Sequence, residues 1–183
     1  MRHLSLGFVF LVASFSATAA DTLATNQKDY AVSFGVGSGS GLSVKKAISE
    51  TTWIFANASM SAGKSAGQFT SGGTTVSVST TNRSYSMYAG IRQYLSNDKL
   101  SKFVQLSLGE TYSKNSGDGF ESSARAYAAI AGYGVEYFFD AHLSVEGTVG
   151  LNYSYTPGNS STPGVSSRNM SFPVVGTAIT YYW

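Results

Sequence analysis

Between residues 122 and 139 large and small side chains alternate. Tyr127, Ala129, Ala131, Tyr133, Val135, Tyr137 and Phe139 fall on one face of a period of two; Ala126, Ala128, Gly132, Gly134 and Glu136 fall on the other. A run this long at period two is a strand, because a buried helix repeats near 3.6 residues and does not sort large from small at alternate positions. The same pattern recurs along the chain and predicts eight strands, over 30–36, 51–61, 69–80, 83–95, 103–114, 122–139, 143–155 and 169–183. Glu110 falls on the apolar side of its strand, which is tolerable only above the hydrocarbon. Pro173 requires a position whose N–H is not needed, or a bulge.

One face of each strand is apolar, and composition says what that face meets. Charged residues make up 12% of the 183-residue chain, about half the share of an ordinary soluble protein. Aromatics reach 14%, there are 20 glycines, and the mean hydropathy is −0.02. Such a chain hides Ser, Thr and Gly on something other than a charged surface. The strands of a membrane barrel do so, with one face to lipid and one to the lumen. The expected fold is therefore all-β, a transmembrane antiparallel up-and-down barrel of eight strands.

Other classes fall away. A net charge of +2 without a basic run excludes a nucleic-acid footprint. Lys45-Lys46, the only basic doublet, reads as a solvated loop. With no cysteine and two histidines, neither disulfides nor a metal site are expected, and no cofactor. Gly35, Gly37 and Gly39 have a nucleotide-loop spacing, but no βαβ unit surrounds them.

Residues 1–20 read as a secretory signal peptide: Met1-Arg2-His3, an apolar core, then small residues ending at Ala20. Residues 21–29 read as a periplasmic lead-in and 30–183 as the barrel. No other stretch has the length of a transmembrane helix. An even strand count puts both barrel ends on the periplasmic side. Short turns at Gly63, Ser96 and Asp140 are expected there, and loops at 38–50, 81–82, 115–121 and 157–167 on the outside.

In its leader, in the strands 84–95 and 131–139 and in its aromatic last strand, the chain resembles the small eight-stranded outer-membrane barrels of the OmpA/OmpX-like superfamily. The resemblance implies a cell outer-membrane location in a Gram-negative envelope. It also implies a C-terminal signal for the barrel-assembly machinery carried by Gly176, Ile179, Tyr181 and Trp183. Expected partners are that machinery and outer-membrane lipid or lipopolysaccharide, with the barrel a monomer.

An eight-stranded lumen is just wide enough to be filled by side chains, so a general pore is disfavoured. Arg92, Glu136 and Glu146 all fall on lumen faces near the periplasmic turns, and Arg92 is expected to pair with one or both carboxylates. Tyr181 and Trp183 are expected in a periplasmic aromatic girdle with Tyr137, Phe139 and Tyr94. His142, Ser144 and Glu146 invite comparison with lipid A deacylase barrels, but their His-x-Ser-Asn pattern is broken by Val145, and residues two apart on one strand are too rigidly spaced to assemble a nucleophile and base. No catalytic residue is assigned. The function expected is a structural or surface role without enzymatic activity. The alternative is adhesion, or binding of lipopolysaccharide or a host factor through the loops, where Lys45, Lys46 and Arg168 are candidate phosphate contacts.

Overall fold

A computed structural model describes residues 28–37, 41–71, 74–117, 120–158 and 166–183; the signal-peptide assignment lies outside them. Eight strands run β1 (Tyr30–Gly37), β2 (Gly41–Ala47), β3 (Thr52–Ser71), β4 (Thr74–Tyr94), β5 (Leu100–Gly117), β6 (Phe120–Phe138), β7 (Leu143–Thr156) and β8 (Ser167–Tyr182). Each pairs antiparallel with the next, and β8 pairs with β1 to close a barrel. The seam runs from Ala31 opposite Tyr182 to Gly37 opposite Gly176. The end where β1 begins and β8 finishes is called the lower end.

The second half follows the sequence pattern, whereas the first half differs in two places. The glycine-rich stretch 63–67, read as a turn, runs through the middle of β3, where Gly63 lies opposite Asn82 and Gly67 opposite Val78. Residues 74–80 of the expected third strand and residues 83–94 of the fourth accordingly belong to one strand, β4, while 69–71 end β3, and Thr81 and Asn82 form no loop. A continuous ladder with β4 overrides the weak local preference of Gly and Ser for turns. In the second place, most of the expected outer loop 38–50 is strand β2. Leu42 and Val44 point out of the wall, and Ser43 and Lys45 point in. With only two apolar positions the alternation in β2 is short, which is why it escapes a pattern search.

The outer wall carries a belt of exposed aliphatic residues, among them Ile54, Ile91, Leu106, Val135, Leu151 and Ile179. An apolar surface that surrounds a molecule on all sides is stable only in hydrocarbon. Below the belt Tyr181, Trp183, Tyr137 and Phe139 face outward. Trp183 stacks on both Tyr181 and Tyr30, with ring centroids 6.3 Å apart in each case, and Tyr137 meets Phe139 edge-on at 5.3 Å. Tyr94 does not join this girdle. It shares the phase of Arg92, two residues earlier, and is buried in the lumen; a period of two puts both residues on the same face.

The wall is uneven in height. β3 to β6 have 20, 21, 18 and 19 residues, against 8 and 7 in β1 and β2. About 9–11 residues cross the hydrocarbon, so β3 to β6 continue past it as a four-stranded sheet. Pairing of β2 with β3 stops at Leu42 opposite Ala58. Beyond that point no strand among the described residues pairs with β3 on that side, which leaves residues 59–71 as an edge. In β8 the regular pairing breaks once, between Gly150 opposite Val174 and Asn152 opposite Ser171. Phe172 and Pro173 together face Leu151, a bulge of the kind that Pro173 requires.

Candidate functional site

The lumen of the lower half is filled by side chains, most of them polar. Arg92 on β4 lies at its centre, laid over the Phe103 ring of β5 at 3.8 Å. Its Nη1 donates to Glu146 Oε2 at 2.6 Å and its Nη2 to Glu146 Oε1 at 3.0 Å, a bidentate contact. Nη1 also lies 3.4 Å from Glu136 Oε2, and Nη2 donates to Gln105 Oε1 at 3.0 Å. The structure thus brings Arg92, Glu136 and Glu146 into one cluster.

A second cation belongs to it. Lys45 Nζ donates to Glu146 Oε2 at 2.7 Å and to Thr180 Oγ1 at 3.2 Å, and Thr180 shares a hydrogen bond of 2.8 Å with Ser33. Lys45 is only 4% exposed, so neither a solvated loop nor a lipid phosphate accounts for it. Two cations and two carboxylates balance, which is what burial of four charges demands.

Glu136, fully buried, is held by donors on three other strands. The hydroxyls of Tyr94 and Tyr182 each donate to it at 2.5 Å, and Ser144 Oγ donates to Oε1. A carboxylate accepting from this many groups is fixed as an acceptor. Sequence reading missed Lys45, Tyr94 and Tyr182 in the cluster. The phase that identifies Tyr94 is that of Arg92, and the phase that identifies Tyr182 is that of Thr180, opposite to Tyr181.

His142, Ser144 and Glu146 do not meet as a catalytic set. Ser144 is buried with its hydroxyl committed to Glu136, and Glu146 is committed to the two cations. His142 lies in the lower turn, where its Nδ1 donates to the Tyr182 carbonyl at 2.9 Å and its ring stacks on Tyr181. In the same turn the Asp140 carboxylate accepts from the backbone N–H groups of His142, at 2.6 Å, and Leu143, at 2.9 Å. These two donors hold its carboxyl below the ordinary carboxylate range. Among the described residues no group of three or more His, Cys, Asp or Glu could hold a metal ion.

At the upper end the sheet β3 to β6 presents two different faces. The face continuing the lumen carries Ser61, Ser84, Ser86, Thr111 and Ser113, with hydroxyls bonded across strands: Ser61 with Ser84 at 2.7 Å and Ser86 with Thr111 at 2.9 Å. The face continuing the belt carries Tyr85 opposite Tyr112, and beyond them Arg83 opposite Lys114. Glu110 lies on that face too, 4.0 Å from Arg125 and above the aliphatic belt.

A closed eight-stranded barrel with an aliphatic belt, an aromatic girdle and a lumen closed by ion pairs has the fold of the small outer-membrane β-barrels. The structure is similar to that of a major outer membrane protein from Thermus thermophilus, with a TM-score of 0.54 and 12% identity over 85% of this chain and 98% of that one. Neisserial surface protein A has a TM-score of 0.48 and 12% identity, covering 85% of this chain and 94% of that one. The N-terminal β-barrel domain of Pseudomonas aeruginosa OprF has a TM-score of 0.46 and 11% identity, covering 85% and 96%. The sequence matches no protein-family model and no curated protein.

Proposed function

We propose that this protein is a non-enzymatic surface protein of the outer membrane, in which a plugged barrel serves as the mount for the sheet β3 to β6, and that this sheet is its binding surface. The observation that carries the reading is the unequal height of the wall. Lumen closure by Arg92, Lys45, Glu136 and Glu146 argues against solute passage. The strands that rise above the belt argue for contact outside the membrane. Over residues 59–71 the edge of β3 has no strand partner among the described residues, and an extended segment of another protein can add to such an edge as a further strand. This is adhesion through a sheet rather than through the loops.

The test is to shorten the β3–β4 hairpin by removing residues 62–82 across a two-residue turn. Heat-modifiable gel migration would report that the barrel still closes. A fall in adhesion of expressing cells to host cells, with migration retained, is the expected result. Adhesion unchanged by the deletion would leave the protein a structural barrel only.

A further inference from the structure

The basic residues of the upper half share one placement. Arg83 lies two residues above Tyr85 on β4, Lys114 two above Tyr112 on β5, and Arg125 two above Tyr127 on β6; Arg168 on β8 is paired directly opposite Tyr155 of β7. Lys64 of β3 faces outward on the diagonal from Arg83, since Ala62 is opposite Arg83. In each of the three Tyr-to-cation steps the spacing is about 7 Å along the strand. The cations follow the upper limit of the aliphatic belt, on the lipid side of the wall, with tyrosines beneath them.

The arrangement is unbalanced. Arg83 and Lys114 are direct cross-strand neighbours on one face, where like charges repel. Among the described residues this face holds five cations and two carboxylates, Glu110 and Glu121. Lys114 pairs with Glu121, and Arg125 lies 4.0 Å from Glu110. No ion pair is formed by Lys64, Arg83 or Arg168 among the described residues. Tyrosine marks the depth at which hydrocarbon gives way to headgroups; Arg83, Lys114 and Arg125 lie one step above such a tyrosine, and Arg168 lies level with one. Anions at that depth are headgroup phosphates, which guanidinium groups can bind in bidentate fashion.

We infer that Lys64, Arg83, Lys114, Arg125 and Arg168 form a collar that binds the phosphates of phosphorylated lipid headgroups in the outer leaflet. The collar rests on the reading of the chain as an outer-membrane barrel. It is separate from the β3 edge, because its side chains stand on the sheet face. Its consequence is that the protein organises a shell of anionic lipid around the foot of the protruding sheet.

The experiment uses the folded full barrel in phosphatidylcholine nanodiscs, titrated with bisphosphorylated lipid A, with dephosphorylated lipid A and with inorganic phosphate. The expected result is a clear preference for the bisphosphorylated lipid. Replacing the three cations that form no ion pair among the described residues, Lys64→Gln, Arg83→Gln and Arg168→Gln together, should weaken its binding about tenfold, the sum of three exposed charge contacts. Lys46→Gln, at the lower end, should leave binding unchanged. Equal binding of the two lipids by the wild type would overturn the inference, as would a folded triple variant that keeps the full preference. Inorganic phosphate binding as tightly as the lipid would assign the collar to free anions and overturn it too. If the triple variant does not fold, a salt titration of the wild type decides. A preference indifferent to molar salt is incompatible with a charge collar. Wild-type protein lacking heat-modifiable migration would count against the barrel reading itself, whereas equal lipid binding by a heat-modifiable barrel counts against the collar alone.

Discussion

Arg92 and Glu146 meet end to end across the lumen, two nitrogens on two oxygens at 2.6 and 3.0 Å, although they are 54 residues apart in the chain and on strands that do not touch. Removing one partner leaves the other charge buried and uncompensated. Arg92→Met should therefore lower barrel stability by about 3–5 kcal/mol, read as a fall in the urea midpoint of unfolding. A paired replacement, Arg92→Met with Glu146→Gln, should recover part of the loss. Equal midpoints for wild type and Arg92→Met would show that the pair carries no stability.

Two glycines on neighbouring strands should respond in opposite ways. Gly134 faces inward against the Phe103 ring, the surface on which Arg92 lies, and a Cβ there collides with that ring. Gly147 faces outward, with nothing within 4 Å of a Cβ. Gly134→Val should cost about 1–3 kcal/mol through overpacking, while Gly147→Ala should shift the same midpoint by no more than about 0.5 kcal/mol.

Asp140 gives a pH dependence outside the membrane. Its folded-state carboxyl is depressed by the N–H groups of His142 and Leu143. A depressed acid stabilises the fold above its unfolded pKa, and that contribution is lost as pH falls through the folded value. Protection of the His142 and Leu143 amides, taken relative to their intrinsic exchange rates, should accordingly be high at neutral pH and fall only once the pH drops below the ordinary carboxylate range. In Asp140→Asn that protection should be lower at neutral pH, and flatter across the acid range.

Ser144 should prove structural. Purified wild-type barrel is expected to show no esterase turnover, and Ser144→Ala is expected to lose stability by about 1–3 kcal/mol, because buried Glu136 loses a donor. Turnover abolished by Ser144→Ala would contradict the non-enzymatic reading.

The last strand is proposed to carry the assembly signal through Gly176, Ile179, Tyr181 and Trp183. The backbone N–H of Trp183 donates to the Tyr30 carbonyl at 3.0 Å, so this residue also fastens the seam. Deleting Trp183 should lower the folded, heat-modifiable fraction in outer-membrane preparations. It should lower refolding from urea into detergent by less, since only the lost seam contacts with Tyr30 count where no machinery acts.

How much of this was legible depends on how strongly each strand separates its faces. β5 to β8 mix large aliphatics with Gly and Ser at alternate places, as does the lower half of β4, and phase alone set Arg92, Glu136 and Glu146 on one side of the wall. Over 61–82 both faces are mostly small and polar, since neither meets hydrocarbon there. Alternation vanishes, and Gly63 or Asn82 looks like a turn. The lumen cluster was legible only as far as its phase was followed: Tyr94 shares a face with Arg92, and aromatic character alone suggested the girdle. Lys45 was missed because the seven residues of β2 give too few positions to set a phase. The ladder between β2 and β3, which orders it, is a long-range fact.

The bulge at Leu151 means that β8 holds one residue more than its neighbour can count. Above it Ser171 points inward; below it Val174, Gly176, Ala178, Thr180 and Tyr182 do. The two parts of the strand are therefore out of step, and the surplus lies between them. Elsewhere in β8, losing one residue would turn the Tyr182 half inside out. At Phe172 or Pro173 it would merely bring the two parts into step, which makes this the one place where the strand has slack to give.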